Sequence, residues 1–309
     1  STRRSSIAIV SKPGTPMVDS VRRRLRARLR SGPLIVAPGI YDAYGARFVE
    51  QAGFEAAYMT GNGVSASLLG RPDVGLVDLT LIANHAHRVA ACVDIPLICD
   101  ADTAYGNAVN VRRTVEEFEA AGVAAIHIED QLSPKRCGQL PGARPVIALA
   151  EAVGKIEAAV AARRDPDFII IARTDSADGL GLDEAIRRVQ AYVQAGADVA
   201  FVELKSGPTL LDDLKRVTSA VDAPCFVNVD AGGKLGELTT AEIEQLGLRI
   251  AIYPGLARGA AGFAIREALG ALKRDGNTQA VRSRMLSPQE YNQALGLAEI
   301  EAWERKYVR

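Results

Sequence analysis

Three carboxylates close two short apolar runs: Asp100 and Asp102 end PLICDAD (96–102), and Glu129 ends the apolar part of AAIHIED (124–130). Residues two apart on a strand point to the same side, and a neighbouring strand lies ~5 Å away. Three carboxylates that close raise one another's pKa unless a cation sits among them. Ligands offering only oxygen select a hard ion, Mg²⁺ or Mn²⁺. Salt bridges or plain solvation compete with that reading, and a lone Asp-x-Asp would favour them. Glu129 at the matching depth favours the metal. His127, on the same face as Glu129, is read as a hydrogen-bonded core histidine rather than a ligand.

Other polar residues gather at comparable points. Thr60-Gly61-Asn62-Gly63 suggests a tight loop with exposed N–H groups suited to a carboxylate, a weak signal alone. Arg173 is a planar fork for a carboxylate, although an ion pair with Asp175 or Glu203 serves it equally. Glu203, Asn228, and Tyr253 with Arg258 end three further runs. Cys137 lies in Lys135-Arg136-Cys137-Gly138, and cationic neighbours make a thiol more reactive. Cys92, Cys99 and Cys225 stand in helix or strand context and read as core fillers.

Eight short β-rich runs must position these residues: 34–38, 56–60, 96–102, 124–130, 168–174, 199–204, 225–229 and 250–254. Amphipathic stretches such as 79–93, 111–122 and 182–196 lie between them. Near-continuous apolar strands alternating with helices imply a parallel sheet covered on both faces. Eight units favour an α/β (β/α)₈ TIM-type barrel over an open sheet, and no GxGxxG or GxxxxGK[ST] follows a strand. Catalytic groups in such barrels sit at the C-terminal strand ends, where these polar residues fall.

The chain is read as one domain: an N-terminal arm and helix over 1–32, the barrel over 33–275 and a C-terminal helical extension over 276–309. The six arginines within 21–30 read as the solvated face of a helix whose inner face carries Val21, Leu25 and Leu29. The loop 131–147, rich in Pro and Gly, reads as a lid. Ser287-Pro288-Gln289-Glu290 opens a helix whose apolar face needs a further surface. Lys and Arg number 37, as do Asp and Glu, which argues against nucleic acid or an anionic membrane as main partner. No apolar run spans a bilayer or forms a signal sequence, so the cytoplasm is expected.

Together the motifs resemble the isocitrate lyase/phosphoenolpyruvate mutase superfamily, from about residue 33 to 275. They are Tyr58-Met59-Thr60-Gly61-Asn62-Gly63, Pro72-Asp73, DADTAYGN (100–107), HIEDQ (127–131), KRCG (135–138), ARTD (172–175), Glu203 and Asn228. The cysteine of KRCG places the resemblance in the short lyase branch, which includes enzymes of 2-methylisocitrate and 2,3-dimethylmalate.

The resemblance implies a Mg²⁺-dependent carbon–carbon lyase acting on a small 2-hydroxy di- or tricarboxylate. Asp100, Asp102 and Glu129 would bind the ion, with Asp73 in support. Thr60, Gly61, Asn62 and Arg173 would hold the C1 carboxylate, and Gly138, Gln139, Glu203, Asn228 and Arg258 would meet the other end. Tyr58 would help remove the 2-hydroxyl proton, and Cys137 would protonate the enediolate, with Lys135 and Arg173 also placed in the catalytic group. A homotetramer exchanging C-terminal helices is the implied assembly. The chain departs from the family at Gln139, where a histidine is usual, at Arg258, one residue closer to the strand-8 tyrosine than usual, and at Ala231, where Asn-x-x-Glu-Gly-Gly loses its glutamate. All three touch substrate choice. A phosphonomutase, an oxaloacetate-cleaving enzyme and an inactive carboxylate-binding barrel are the alternatives.

Overall fold

The computed structural model describes residues 17–308 apart from 139, 141 and 143. Eight parallel strands form a closed barrel in chain order: β1 (Ile35–Ile40), β2 (Ala57–Met59), β3 (Leu97–Asp100), β4 (Ala125–Glu129), β5 (Ile169–Thr174), β6 (Val199–Val202), β7 (Cys225–Asn228) and β8 (Ile250–Tyr253). Each overlaps its predicted run. β1 pairs with both β2 and β8, so the sheet has no free edge.

Two apolar layers form. Ile35, Tyr58, Ile98, Ile169, Ile171, Phe201 and Phe226 fill the barrel interior, while the alternate residues pack against the outer helices. The helix Met17–Arg30 plugs the barrel at the N-terminal strand ends: Leu25 and Leu29 join the interior cluster. Its arginines are not simply a solvated face. Arg22 is buried, donates to Val123 O at 2.9 Å and pairs with Asp165 at 3.0 Å. Arg26 pairs with Asp198 at 2.9 Å.

Two further expectations are corrected. The Thr60–Gly63 segment is not a loop: Thr60 caps the helix Gly61–Leu69, whose glycine-rich first turn carries poor helix propensity. The C-terminal extension is two helices, Pro288–Ala294 and Leu297–Tyr307, broken at Gly296, whose φ of 78° leaves the helical region. The capping box at Ser287 and Glu290 forms as read. The helix Leu256–Asp275 buries only Ala271 and leaves Phe263, Ile265, Leu269 and Leu272 exposed. Among the described residues, no helix is long and apolar enough to cross a membrane.

Candidate active site

A cavity of about 340 Å³ opens at the C-terminal strand ends, lined by Tyr58, Asp100, Glu129, Cys137 and Arg173 among others. Strand register sets Asp100 beside His127 and Glu129 beside Arg173. Asp102 does not share a strand with Asp100, because β3 ends at Asp100 and the chain turns sharply. Asp102, Ala104 and Tyr105 have φ of 48°, 57° and 59°. Left-handed backbone at a non-glycine residue costs about 1 kcal/mol or more, and the surroundings must impose it. Here Asp102 N donates to Asp100 Oδ1 at 3.0 Å, Glu129 N to Asp102 O at 2.9 Å and Thr114 Oγ1 to Ala104 O at 3.1 Å.

The charges sort into groups. Lys135 Nζ sits between Asp73 Oδ2 at 2.6 Å and Asp102 Oδ1 at 2.7 Å, so its ion pairs are with these two acids. Arg173 grips Asp175 with two contacts of 2.9 Å, approaches Glu129 at 3.3 Å and Glu203 at 3.6 Å, and stacks on Phe201. Its ion-pair role is therefore realised. Asp175 also takes Arg144 Nη1 at 2.6 Å.

The remaining group is Asp100, His127 and Glu129, with one ligand atom from each within 4.8 Å of the others. Burial pushes the Glu129 carboxyl well up. Burial, with Asp100 and Asp73 adding to it, pushes Asp102 up to about 7 despite Lys135. Burial opposes the charge of Asp100 too, yet His127, Lys135, Arg173 and the Asp102 N–H hold it below the usual carboxylate range. Among the described residues, the buried Glu129 Oε1 has no hydrogen-bond partner. A carboxylate oxygen without a donor, raised by burial and facing a second acid, fits a hard divalent cation.

His127 is fully buried and packed among Tyr58, Phe201 and Phe226, as a core histidine would be, while also joining the acid pair. Its Nε2 lies 2.8 Å from the Tyr58 hydroxyl. Burial pushes the imidazole down to about 4 and the Tyr58 hydroxyl well above its ordinary value. Both groups are therefore neutral at pH 7.

Cys137 arrives on the long loop, which is pinned at its base by the Gln131–Val146 bridge and by Leu132 N to Pro145 O at 2.8 Å. Cys137 N donates to Asp73 O at 3.1 Å, and Asn62 Nδ2 donates to Cys137 Sγ at 3.0 Å. Asn62 is the second residue of the Gly61–Leu69 helix. Gly61 and Gly63 are required there by close approach: a Cβ would stand 2.8 Å from Asp100 Oδ2 at Gly61 and 2.7 Å from Tyr41 Cβ at Gly63. Across the cavity Asn228 Nδ2 donates to Glu203 Oε1 at 3.3 Å.

The profile of the phosphoenolpyruvate phosphomutase family matches residues 25–273. The chain belongs to that family. It is 43% identical over 285 residues to 2,3-dimethylmalate lyase of Eubacterium barkeri, covering 92% of this chain and 97% of that one. The structure of oxaloacetate acetylhydrolase with the inhibitor 3,3-difluorooxalacetate superposes with a TM-score of 0.87 at 35% identity, covering 93% and 97% of the two chains. That of phosphonopyruvate hydrolase with oxalate and Mg²⁺ gives 0.84 at 34% identity, covering 93% and 99%.

Within this member of the phosphomutase family, the structure gathers Tyr58, Thr60, Asn62, Asp73, Asp100, Glu129, Lys135, Cys137, Gly138, Arg173, Glu203, Asn228 and Arg258 around one cavity. Gly61 and Asp102 flank the floor. Gln139 lies outside the described residues. Arg144 was missed by the sequence reading. It is buried between Asp175 and Gly138, whose Cβ would meet its Nη1 at 2.7 Å. No spacing rule marks an arginine inside a Pro/Gly-rich loop, so no sequence signal points to it.

Proposed function

We propose that the chain is a Mg²⁺-dependent carbon–carbon lyase that cleaves a small 2-hydroxy dicarboxylate of the 2-alkylmalate class, or 2-methylisocitrate, to an α-keto acid and a second carboxylic acid. The observation that carries the reading is the Cys137 thiol on the 131–147 loop, lining the same cavity as Asp100, Glu129 and Arg173. The 43% identity to a 2,3-dimethylmalate lyase supports it.

Asp100 and Glu129 would hold the ion, beside His127, with Asp102 and Asp73 kept in place by Lys135. When bound, the ion supplies positive charge that stabilises the developing oxyanion. Thr60, Gly61, Asn62 and Arg173 orient the substrate carboxylate, while Glu203, Asn228 and Gly138 meet the distal end. The Tyr58 hydroxyl accepts the 2-hydroxyl proton as its own passes to His127 Nε2, 2.8 Å away. The C2–C3 bond then breaks, C2 becomes the keto carbon, and the electron pair moves onto C3 and its carboxylate. Cys137 supplies the proton that C3 needs. Closure of the 131–147 loop over bound substrate would exclude water that competes for this step.

A panel of 2,3-dimethylmalate, other 2-alkylmalates, 2-methylisocitrate, isocitrate and oxaloacetate, read by keto-acid formation, tests the reading. Turnover with Mg²⁺ and none with EDTA is expected for one of the hydroxy acids. Turnover of oxaloacetate alone, or equal turnover in EDTA, would displace it. We further propose that the exposed apolar side of the Leu256–Asp275 helix and the C-terminal pair is covered by second copies in a homotetramer, because one helix exposing Phe263, Ile265 and Leu269 is a surface monomers rarely keep. Sedimentation of the purified chain as a monomer would remove that assembly.

A further inference from the structure

Arg258 stands in the first turn of the Leu256–Asp275 helix and lines the same cavity as Cys137. Its Nη1 donates to Asn62 Oδ1. On the far side of the same amide, Asn62 Nδ2 donates to Cys137 Sγ at 3.0 Å. A primary amide can present either its oxygen or its nitrogen in a given direction, whereas a guanidinium has donors only. Contact with Arg258 therefore fixes which way the Asn62 amide faces, and leaves its N–H₂ directed at the thiol.

We infer that Arg258 is a positioning residue for the Cys137 proton donor, acting through Asn62. The inference rests on the reading that Cys137 protonates the cleaved fragment. In that step the S–H bond breaks, the proton forms the new C–H bond at C3, and the electron pair stays on sulfur. The thiolate left behind is a stronger acceptor than the thiol, so the Asn62 N–H contact strengthens as charge develops, which lowers the barrier. Without Arg258 the amide can turn its oxygen to the sulfur and oppose that charge. The shifted place of Arg258 relative to Tyr253, which on sequence grounds bears on a distal carboxylate, thus serves the proton donor in place of the substrate's far end.

The test uses the full chain and two readouts. The first is the rate at which iodoacetamide alkylates Cys137 in the substrate-free protein at pH 7.5, followed by peptide mass analysis. Arg258→Met and Asn62→Ala are each expected to slow it by about 3- to 10-fold, the range one net hydrogen bond supplies. The double variant should be no slower than Asn62→Ala, since both act on one contact. Arg258→Lys, which keeps a donor, should recover most of the rate.

The second readout is turnover of 2,3-dimethylmalate with Mg²⁺, where Arg258→Met should lower kcat in proportion and leave KM unchanged. Wild-type alkylation in Arg258→Met, additive slowing in the double variant, or a raised KM with intact kcat would overturn the inference. The last result would make Arg258 a substrate ligand instead. A Cys137→Ser variant separates the two layers: if it keeps its turnover, the proton-donor reading fails whatever the alkylation rates do. If it loses turnover while Arg258→Met behaves as wild type in both readouts, only the positioning role fails.

Discussion

The two ends of the barrel handle charge in opposite ways. At the N-terminal end, cations and anions are matched: Arg22 pairs with Glu119 and Asp165, Arg23 and Arg26 with Asp167, and Arg26 and Arg163 with Asp198. The Met17–Arg30 helix seals that end. At the C-terminal end, the buried acids Asp73, Asp100, Asp102, Glu129, Asp175 and Glu203 outnumber the buried cations Lys135, Arg144 and Arg173, while Arg136, Lys205 and Arg258 line the less buried rim of the cavity. Matched buried charges hold a fold, and removing one partner strands the other. An excess of one sign raises the cost of the folded state and is repaid only by a ligand of the opposite sign. The lower end is therefore a structural clamp, and the upper end carries the charge that the proposed ion would offset.

Substitutions at the two ends should separate those roles. The largest effect belongs to Asp100→Asn, which removes an acid of the proposed ion cluster. Keto-acid production should fall by at least about 10³-fold, as expected for loss of metal-centred charge stabilisation. Thermal unfolding in EDTA should show a modest loss of stability, because Lys135, Arg173 and the Asp102 N–H favour the charged Asp100 carboxylate in the fold. A loss as large as that of Arg22→Ala would mark Asp100 as a clamp like those below. Next comes Arg22→Ala at the lower end, which strands Asp165 and the Val123 carbonyl. Chemical denaturation should show a loss of about 3 kcal/mol, with kcat per folded molecule unchanged. Smallest is the response of the wild type to Mg²⁺ itself, about 2.7 kcal/mol of added stability at a hundredfold excess over Kd. That increment should persist in Arg22→Ala and vanish in Asp100→Asn. A vanishing increment in Arg22→Ala would couple two ends that the structure keeps apart.

The loop 131–147 shows how far local sequence reaches. KRCG was legible as a reactive segment, but the cations beside the thiol in sequence are not its hydrogen-bond partner in space. Lys135 spans Asp73 and Asp102, and Asn62, 75 residues away, donates to the sulfur. Arg144 gave no signal at all, since its partner Asp175 belongs to another strand end. Strand alternation predicts Asp102 beside Asp100 as a further ligand of the ion; in the structure a left-handed turn, not alternation, sets its direction, and its carboxylate pairs with Lys135.

The sequence by itself determined the eight strands, their order and the end of the barrel that carries the chemistry. Periodicity and apolar content are local properties, and burial on both faces of a parallel strand writes them into every run. Family motifs spread along the chain carried the reaction class. Only the tertiary structure decided which charges pair and which stay in excess, because that depends on distances between strand ends far apart in sequence. It also decided the neutral Tyr58–His127 contact and the Arg258–Asn62–Cys137 chain, since each joins elements that only barrel closure brings within hydrogen-bond reach.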